Sequence, residues 1–105
     1  KRLDVVVMAA ATLLAVDFEV FGLVQGVFFR KYTQDQAIRL GVHGWCMNTY
    51  HRTVKGQLEG PREMVKLMKD WLKKTGSPSS RIDKVEFKNE REIQDYTFKN
   101  FSIKH

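Results

Sequence analysis

Residues Gly22 to Arg30 read GLVQGVFFR. Two glycines stand four positions apart and an arginine closes the run. An alternating apolar pattern leads into it, and a helical pattern leads out. A glycine-containing loop between a strand and a helix N-terminus can aim several backbone N–H groups at one anion. The helix dipole favours negative charge at the same point. Arg30 adds a planar guanidinium fork that matches phosphate oxygens. The chemistry on offer is the binding of one phosphate group.

Other catalytic sets are missing. Ser79 and Ser80 lack the context of a nucleophile. His43, His51 and His105 share no metal-ligand spacing. His43 reads as a strand or turn residue, His51 as a hairpin residue and His105 as a frayed end. Cys46 falls mid-strand, where a small core residue is the ordinary reading. Asp17 and Glu19 share one strand face, as exposed strand carboxylates often do. A phosphate cradle without base, metal or nucleophile limits the reaction. An ordinary phosphate monoester expels an alkoxide and needs an acid or a metal. An acyl phosphate expels a carboxylate, which is stable at neutral pH and needs neither. Phosphoryl transfer through a loose transition state asks mainly for positioning and charge neutralisation.

The elements that must hold the cradle follow from periodicity. Leu14, Val16, Phe18 and Val20 alternate with Ala15, Asp17 and Glu19, a strand with one buried face, ending at Phe21. A helix is predicted from Phe28 to Leu40, with Phe29, Thr33, Ala37 and Leu40 inward and Gly41 as its C-cap. Val42 to Asn48 and Thr53 to Glu59 form a hairpin. Pro61 opens a second helix, with Met64, Leu67, Met68, Trp71 and Leu72 as its apolar stripe. Thr75 to Ser80 is a loop. Val85 and Phe87 mark a fourth strand, and Phe101 and Ile103 a last one. The order β-α-β-β-α-β-β predicts an α+β, ferredoxin-like split β-α-β sandwich. Its antiparallel sheet has four to five strands, with two helices on one face.

One domain fits the 105 residues, placed at 14–105, with 1–13 as an N-terminal extension. Lys1 and Arg2 before the apolar run Val5 to Val16 resemble a short signal peptide. Asp4 interrupts the basic start, and the end of the run is needed as a strand, so Met8 is the hypothetical native start. No stretch is long enough to span a membrane. The single Cys46 excludes an intrachain disulfide and suits a reducing, cytoplasmic setting. A net charge of +6 is compatible with drawing small anions to the cradle. Lys66, Lys69 and Lys73, on one helix face, read as a solubility feature.

GLVQGVFFR matches the acylphosphatase pattern GxVQGVxFR throughout, and the chain resembles that family from about Val16 to Lys104. Gly44-Trp45-Cys46-Met47-Asn48 looks like its G-W-V-x-N. Thr53-Val54-Lys55-Gly56 follows as T-V-x-G, with Gly60-Pro61 closing the hairpin. Ser77-Pro78 with Arg81-Ile82-Asp83 is similar to a third signature, and Phe101-Ser102-Ile103 to the C-terminal strand. Arg52 departs from the family, which often has glycine in this turn. A positive φ there would strain it.

The resemblance implies metal-free hydrolysis of small acyl phosphates to a carboxylate and inorganic phosphate, with no cofactor. Arg30 and Asn48 are the implied catalytic residues: Arg30 binds the phosphate and Asn48 holds the attacking water. Backbone N–H groups of Gln25, Gly26, Val27, Phe28, Phe29 and Arg30 bind the phosphate oxygens. Gln25 either fixes the loop or faces solvent. The expected partners are the acyl phosphate and phosphate as a competitive inhibitor. A monomer is expected, without nucleic acid or membrane. The alternatives are a non-catalytic phosphate sensor, a regulatory module of a larger enzyme, or an RNA-binding module of the same fold.

Overall fold

The computed structural model describes residues 12–105. The expected extension, 1–13, and the possible start at Met8 thus fall almost wholly outside the described residues; Leu13 already belongs to the first strand.

Five strands and two helices follow in the order β1 (Leu13–Leu23), α1 (Phe29–Leu40), β2 (His43–Asn48), β3 (Val54–Pro61), α2 (Arg62–Lys74), β4 (Arg81–Ile93) and β5 (Phe101–Lys104). The sheet order is β4-β1-β3-β2-β5. β1 lies between β3 and β4, antiparallel to both. The anticipated all-antiparallel sheet is corrected at one edge, because β5 runs parallel to β2. β5 returns from the far edge strand β4 by a loop, so it can dock in either direction. His43 and Glu59 fix which. His43 Nδ1–H donates to the Phe98 carbonyl at 2.7 Å. The buried Glu59 carboxylate accepts the backbone N–H groups of Thr97 and Phe98 at 2.8 and 3.2 Å. These bonds satisfy a carboxylate that would otherwise be costly to bury.

The core is the helix-facing side of the sheet. Val16, Phe18, Val54, Leu58 and Cys46 meet Phe29 and Ala37 of α1 and Val65, Met68 and Leu72 of α2. Leu67, expected in the α2 stripe, is largely exposed, and Val65 takes the inward place. Positions 65, 68 and 72 keep helical spacing on the buried side, and Leu67 is rotated off it. β3 passes into α2 without a loop. Pro61 sits at its N-cap in an extended conformation (φ −57°, ψ 145°). Gly41 ends α1 in the left-handed region, its N–H bonded to the carbonyls of Ala37 and Ile38.

The opposite sheet face is polar. Trp45 Nε1–H donates to Gln57 Oε1 at 3.1 Å, and Gln57 Nε2 donates to Asp17 Oδ1 at 2.8 Å. Burial pushes the Asp17 pKa up, but hydrogen bonds from Asn89 and Gln57 and the Arg91 guanidinium outweigh it and hold the carboxyl below its usual value.

Arg52 has φ 69° in the β2–β3 turn, as the sequence led one to expect. Arg52→Gly is therefore expected to stabilise the chain by about 0.5 kcal/mol. The roughly 1 kcal/mol of relieved strain exceeds the entropy that glycine returns to the unfolded chain. A raised thermal midpoint is the readout; a lowered one would contradict it.

Candidate active site

The two glycines of the loop serve different ends. Gly22 lies against β4: a Cβ there would sit 2.1 Å from the Arg81 carbonyl oxygen. That close approach brings the third sequence signature, around Arg81, against the cradle strand. Gly26 meets nothing within 4 Å and is glycine for its backbone, φ 77°. Between it and the helix, Phe28 also takes a left-handed conformation, φ 61°. The helix therefore begins at Phe29, one residue later than the apolar periodicity predicts. The two reversals at Gly26 and Phe28 fold the loop back on the helix end.

That helix end is poorly served by its own chain. No side chain caps it and no acidic residue stands in its first turn, where Arg30 and Lys31 lie instead. Helices ordinarily carry Ser, Thr, Asp or Asn at the cap and acids after it. The first helical bond runs from the Tyr32 N–H to the Phe28 carbonyl, at 3.1 Å. Among the described residues, the N–H groups from Gly26 to Lys31 meet no backbone acceptor. Positive potential thus accumulates where none of the described residues offers a negative partner. Arg30 is half-buried and, among the described residues, forms no ion pair.

Asn48 ends β2 and opens on the same cavity. This depression of about 360 Å³ is lined by Val24, Gly26, Phe28, Phe29, Arg30, Lys31, Asn48, Ile103 and His105. The Asn48 Oδ1 atom is buried and has no hydrogen-bond partner among the described residues. A buried orphan acceptor is uncommon, and it is a natural place for an ordered water.

Gln25 fixes the loop. Its Nε2 donates to the carbonyls of Thr49 and Thr53, at 3.0 and 2.9 Å. One amide thus ties the loop between β1 and α1 to the turn that follows Asn48. Sequence reasoning missed the turn's own network. Thr53 Oγ1 donates to Glu19 Oε2 at 2.6 Å, so its contact with Thr49 Oγ1, also 2.6 Å, is one in which Thr49 donates. Thr49 Oγ1 in turn accepts the N–H groups of His51 and Thr53. The T-V-x-G match was the available signal for Thr53. Ile103 and His105 were missed as cavity walls. His105 is not merely a frayed end: the parallel register pairs Met47 with Lys104, so His105 follows alongside Asn48.

Cys46 lies beneath the site. Its Sγ is 3.9 Å from the Arg30 carbonyl oxygen, and burial pushes the thiol up to about 12, against the lowering influence of the Arg30 charge. It is a neutral packing residue. Because the folded pKa is raised, its contribution is fully present below the unfolded value near 9 and is lost as pH rises towards 12. Denaturant melts should show stability falling over that range, with a shallower fall in Cys46→Ala. Equal slopes would exclude the thiol as the cause.

The fold is an α+β sandwich whose strand–loop–helix junction, among the described residues, leaves backbone N–H groups and the Arg30 guanidinium without partners. The acylphosphatase family profile matches residues 16–103. Acylphosphatase-2 of Cavia porcellus is 56% identical over 97 residues, covering 92% of this chain and 98% of that protein. Acylphosphatase-2 of Homo sapiens is 54% identical over 96 residues, covering 91% and 97%. An acylphosphatase structure from Bacillus subtilis superposes with a TM-score of 0.76 at 29% identity, covering 88% of this chain and 99% of that one. One from Coxiella burnetii gives the same TM-score and identity, covering 89% and 94%. The chain belongs to the acylphosphatase family and is a hydrolase of that class.

Proposed function

We propose that the chain hydrolyses small acyl phosphates to a carboxylate and inorganic phosphate without a metal, using Arg30 and Asn48. The observation that carries this reading is the shared cavity. The α1 N-terminus, Arg30 and Asn48 all border it, and among the described residues the Arg30 guanidinium has no ion-pair partner and the buried Asn48 Oδ1 no hydrogen-bond partner.

The phosphate dianion accepts hydrogen bonds from the backbone N–H groups of Gln25 to Arg30, and the Arg30 fork engages two of its oxygens. Asn48 Oδ1 accepts a hydrogen bond from water, and its Nδ2 donates to a phosphate oxygen. The water attacks phosphorus, the P–O bond to the acyl group breaks, and the electron pair leaves with the carboxylate. The water's proton passes to a phosphate oxygen, so no protein base is required. Among the described residues, no three His, Cys, Asp or Glu side chains are grouped as a metal would need. The substrate carries its own leaving group, and the protein supplies position and positive potential.

The RNA-binding alternative is less well supported. Such modules stack bases on aromatics of the sheet. Here the depression on the open face is lined by Trp45 together with the carboxylates of Asp17, Glu19 and Glu86; the Trp45 ring already lies under Lys104 Nζ at 4.2 Å, and three carboxylates beside it repel a phosphate backbone. Among the described residues, no helix is long and apolar enough to cross a membrane.

The test is the loss of benzoyl phosphate absorbance with the purified chain in excess chelator. Hydrolysis at an undiminished rate, inhibited competitively by inorganic phosphate, is expected. Activity that disappears with chelator would sink the metal-free mechanism. Thermal melting separates enzyme from sensor. Phosphate at a hundred times its Kd should stabilise the chain by about 2.7 kcal/mol. Stabilisation without hydrolysis would favour the sensor.

A further inference from the structure

The Phe28 side chain does nothing visible for the fold. Its backbone sits at φ 61°, a region that bulky residues avoid and glycine occupies freely. The residue is 77% exposed to water. Among the described residues it forms no aromatic pair and lies under no cation. Glycine would serve the turn better and expose less apolar surface. Strain and exposure together at one residue direct attention to a function outside folding. The residue lines the same cavity as Arg30 and Asn48.

That cavity has two kinds of wall. Arg30, Lys31 and Asn48 provide charge and hydrogen bonds, whereas Phe28 and Ile103 provide apolar surface. Its volume of about 360 Å³ exceeds what one phosphate group needs and falls in the range that accommodates small organic ligands. An acyl phosphate is likewise two-ended, with a dianionic head and a carbon-bearing tail. With the head on the cationic wall, the tail is left to the apolar one.

We propose that the Phe28 ring is the contact surface for the acyl group, and that it favours acyl phosphates with flat, apolar acyl groups over those with small or polar ones. This rests on the hydrolase reading above and adds the substrate class. The ring's apolar face can cover part of an aroyl group and remove both surfaces from water. Acetyl and carbamoyl groups offer too little surface to benefit. The contact is made before chemistry and persists through it, so it acts chiefly on KM.

The test compares benzoyl phosphate with acetyl phosphate in the full chain and in Phe28→Tyr, Phe28→Asn and Phe28→Gly. Asn and Gly both tolerate left-handed backbone, so the loop survives loss of the ring. The readout is the ratio of kcat/KM for benzoyl to that for acetyl phosphate, relative to the unaltered chain. This cancels leaving-group differences and any general effect on the loop. The Asn and Gly variants should lower the ratio roughly three- to tenfold, through KM for benzoyl phosphate, and Tyr should preserve it. An unchanged ratio in the Asn and Gly variants, with both substrates still hydrolysed, overturns this inference and leaves the hydrolase reading intact. Failure of the unaltered chain to hydrolyse either substrate overturns that reading, and this inference with it.

Discussion

Arg30→Ala is expected to abolish measurable turnover while leaving the chain as stable as before, or slightly more stable. The loss should be roughly 10³-fold or more, the scale of an arginine acting on a transferring phosphoryl group. The stability argument is independent of catalysis. Arg30 stands in the first turn of α1, at the positive end of the helix dipole, and no carboxylate among the described residues partners it. Removing a cation from that position relieves about 0.3–1 kcal/mol of repulsion. On the proposed mechanism, fold and function make opposite demands on this side chain, a conflict expected where a site is built for a ligand. Inorganic phosphate should stabilise the unaltered chain strongly and the variant weakly. Rate assays with melting curves, each with and without phosphate, check both parts. A variant that lost activity because it unfolded would contradict the account.

Asn48→Ala is expected to separate binding from turnover. Its rate should fall by about 10²- to 10³-fold, comparable with removing one preorganised polar group from a transition-state site. Phosphate inhibition should weaken only a few-fold, since a single neutral hydrogen bond is lost. The backbone N–H groups and Arg30 remain in place. No protein partner of Oδ1 is left stranded among the described residues, because that atom has none. Asn48→Asp should be worse for binding, since a carboxylate repels the dianion that an amide receives. Full activity in Asn48→Ala would remove the residue from the mechanism. An equal loss of binding and rate would make it a second phosphate ligand and no water holder.

Much of the site could be read before the fold was known, because the cradle is local. Gly26, Phe28 and Arg30 lie within five residues of one another, and the strand-to-helix transition around them is a matter of periodicity. The departure at Arg52 was legible for the same reason, since a tight turn imposes its φ on whichever residue occupies it. Phe28 was misplaced by one position. Its apolar character continues the helical pattern, whereas its backbone reverses the chain at the helix entrance. Leu67 was misassigned because both it and Val65 are apolar, and only packing against the sheet decides which turns inward.

The sequence alone determined the order of elements and, through its resemblance to the acylphosphatases, the reaction class, because backbone periodicity and short glycine-containing motifs act over a few residues. Tertiary structure decided how the site is assembled. The Gln25 amide reaches the Thr49 and Thr53 carbonyls across 24 and 28 residues to hold the cradle beside the hairpin. The buried Glu59 gathers the loop before β5, and the parallel β2–β5 register then brings Ile103 and His105 to the cavity. These contacts depend on strand direction and register. Both are set by which distant donors and acceptors can be satisfied once the core closes, and no local pattern records them.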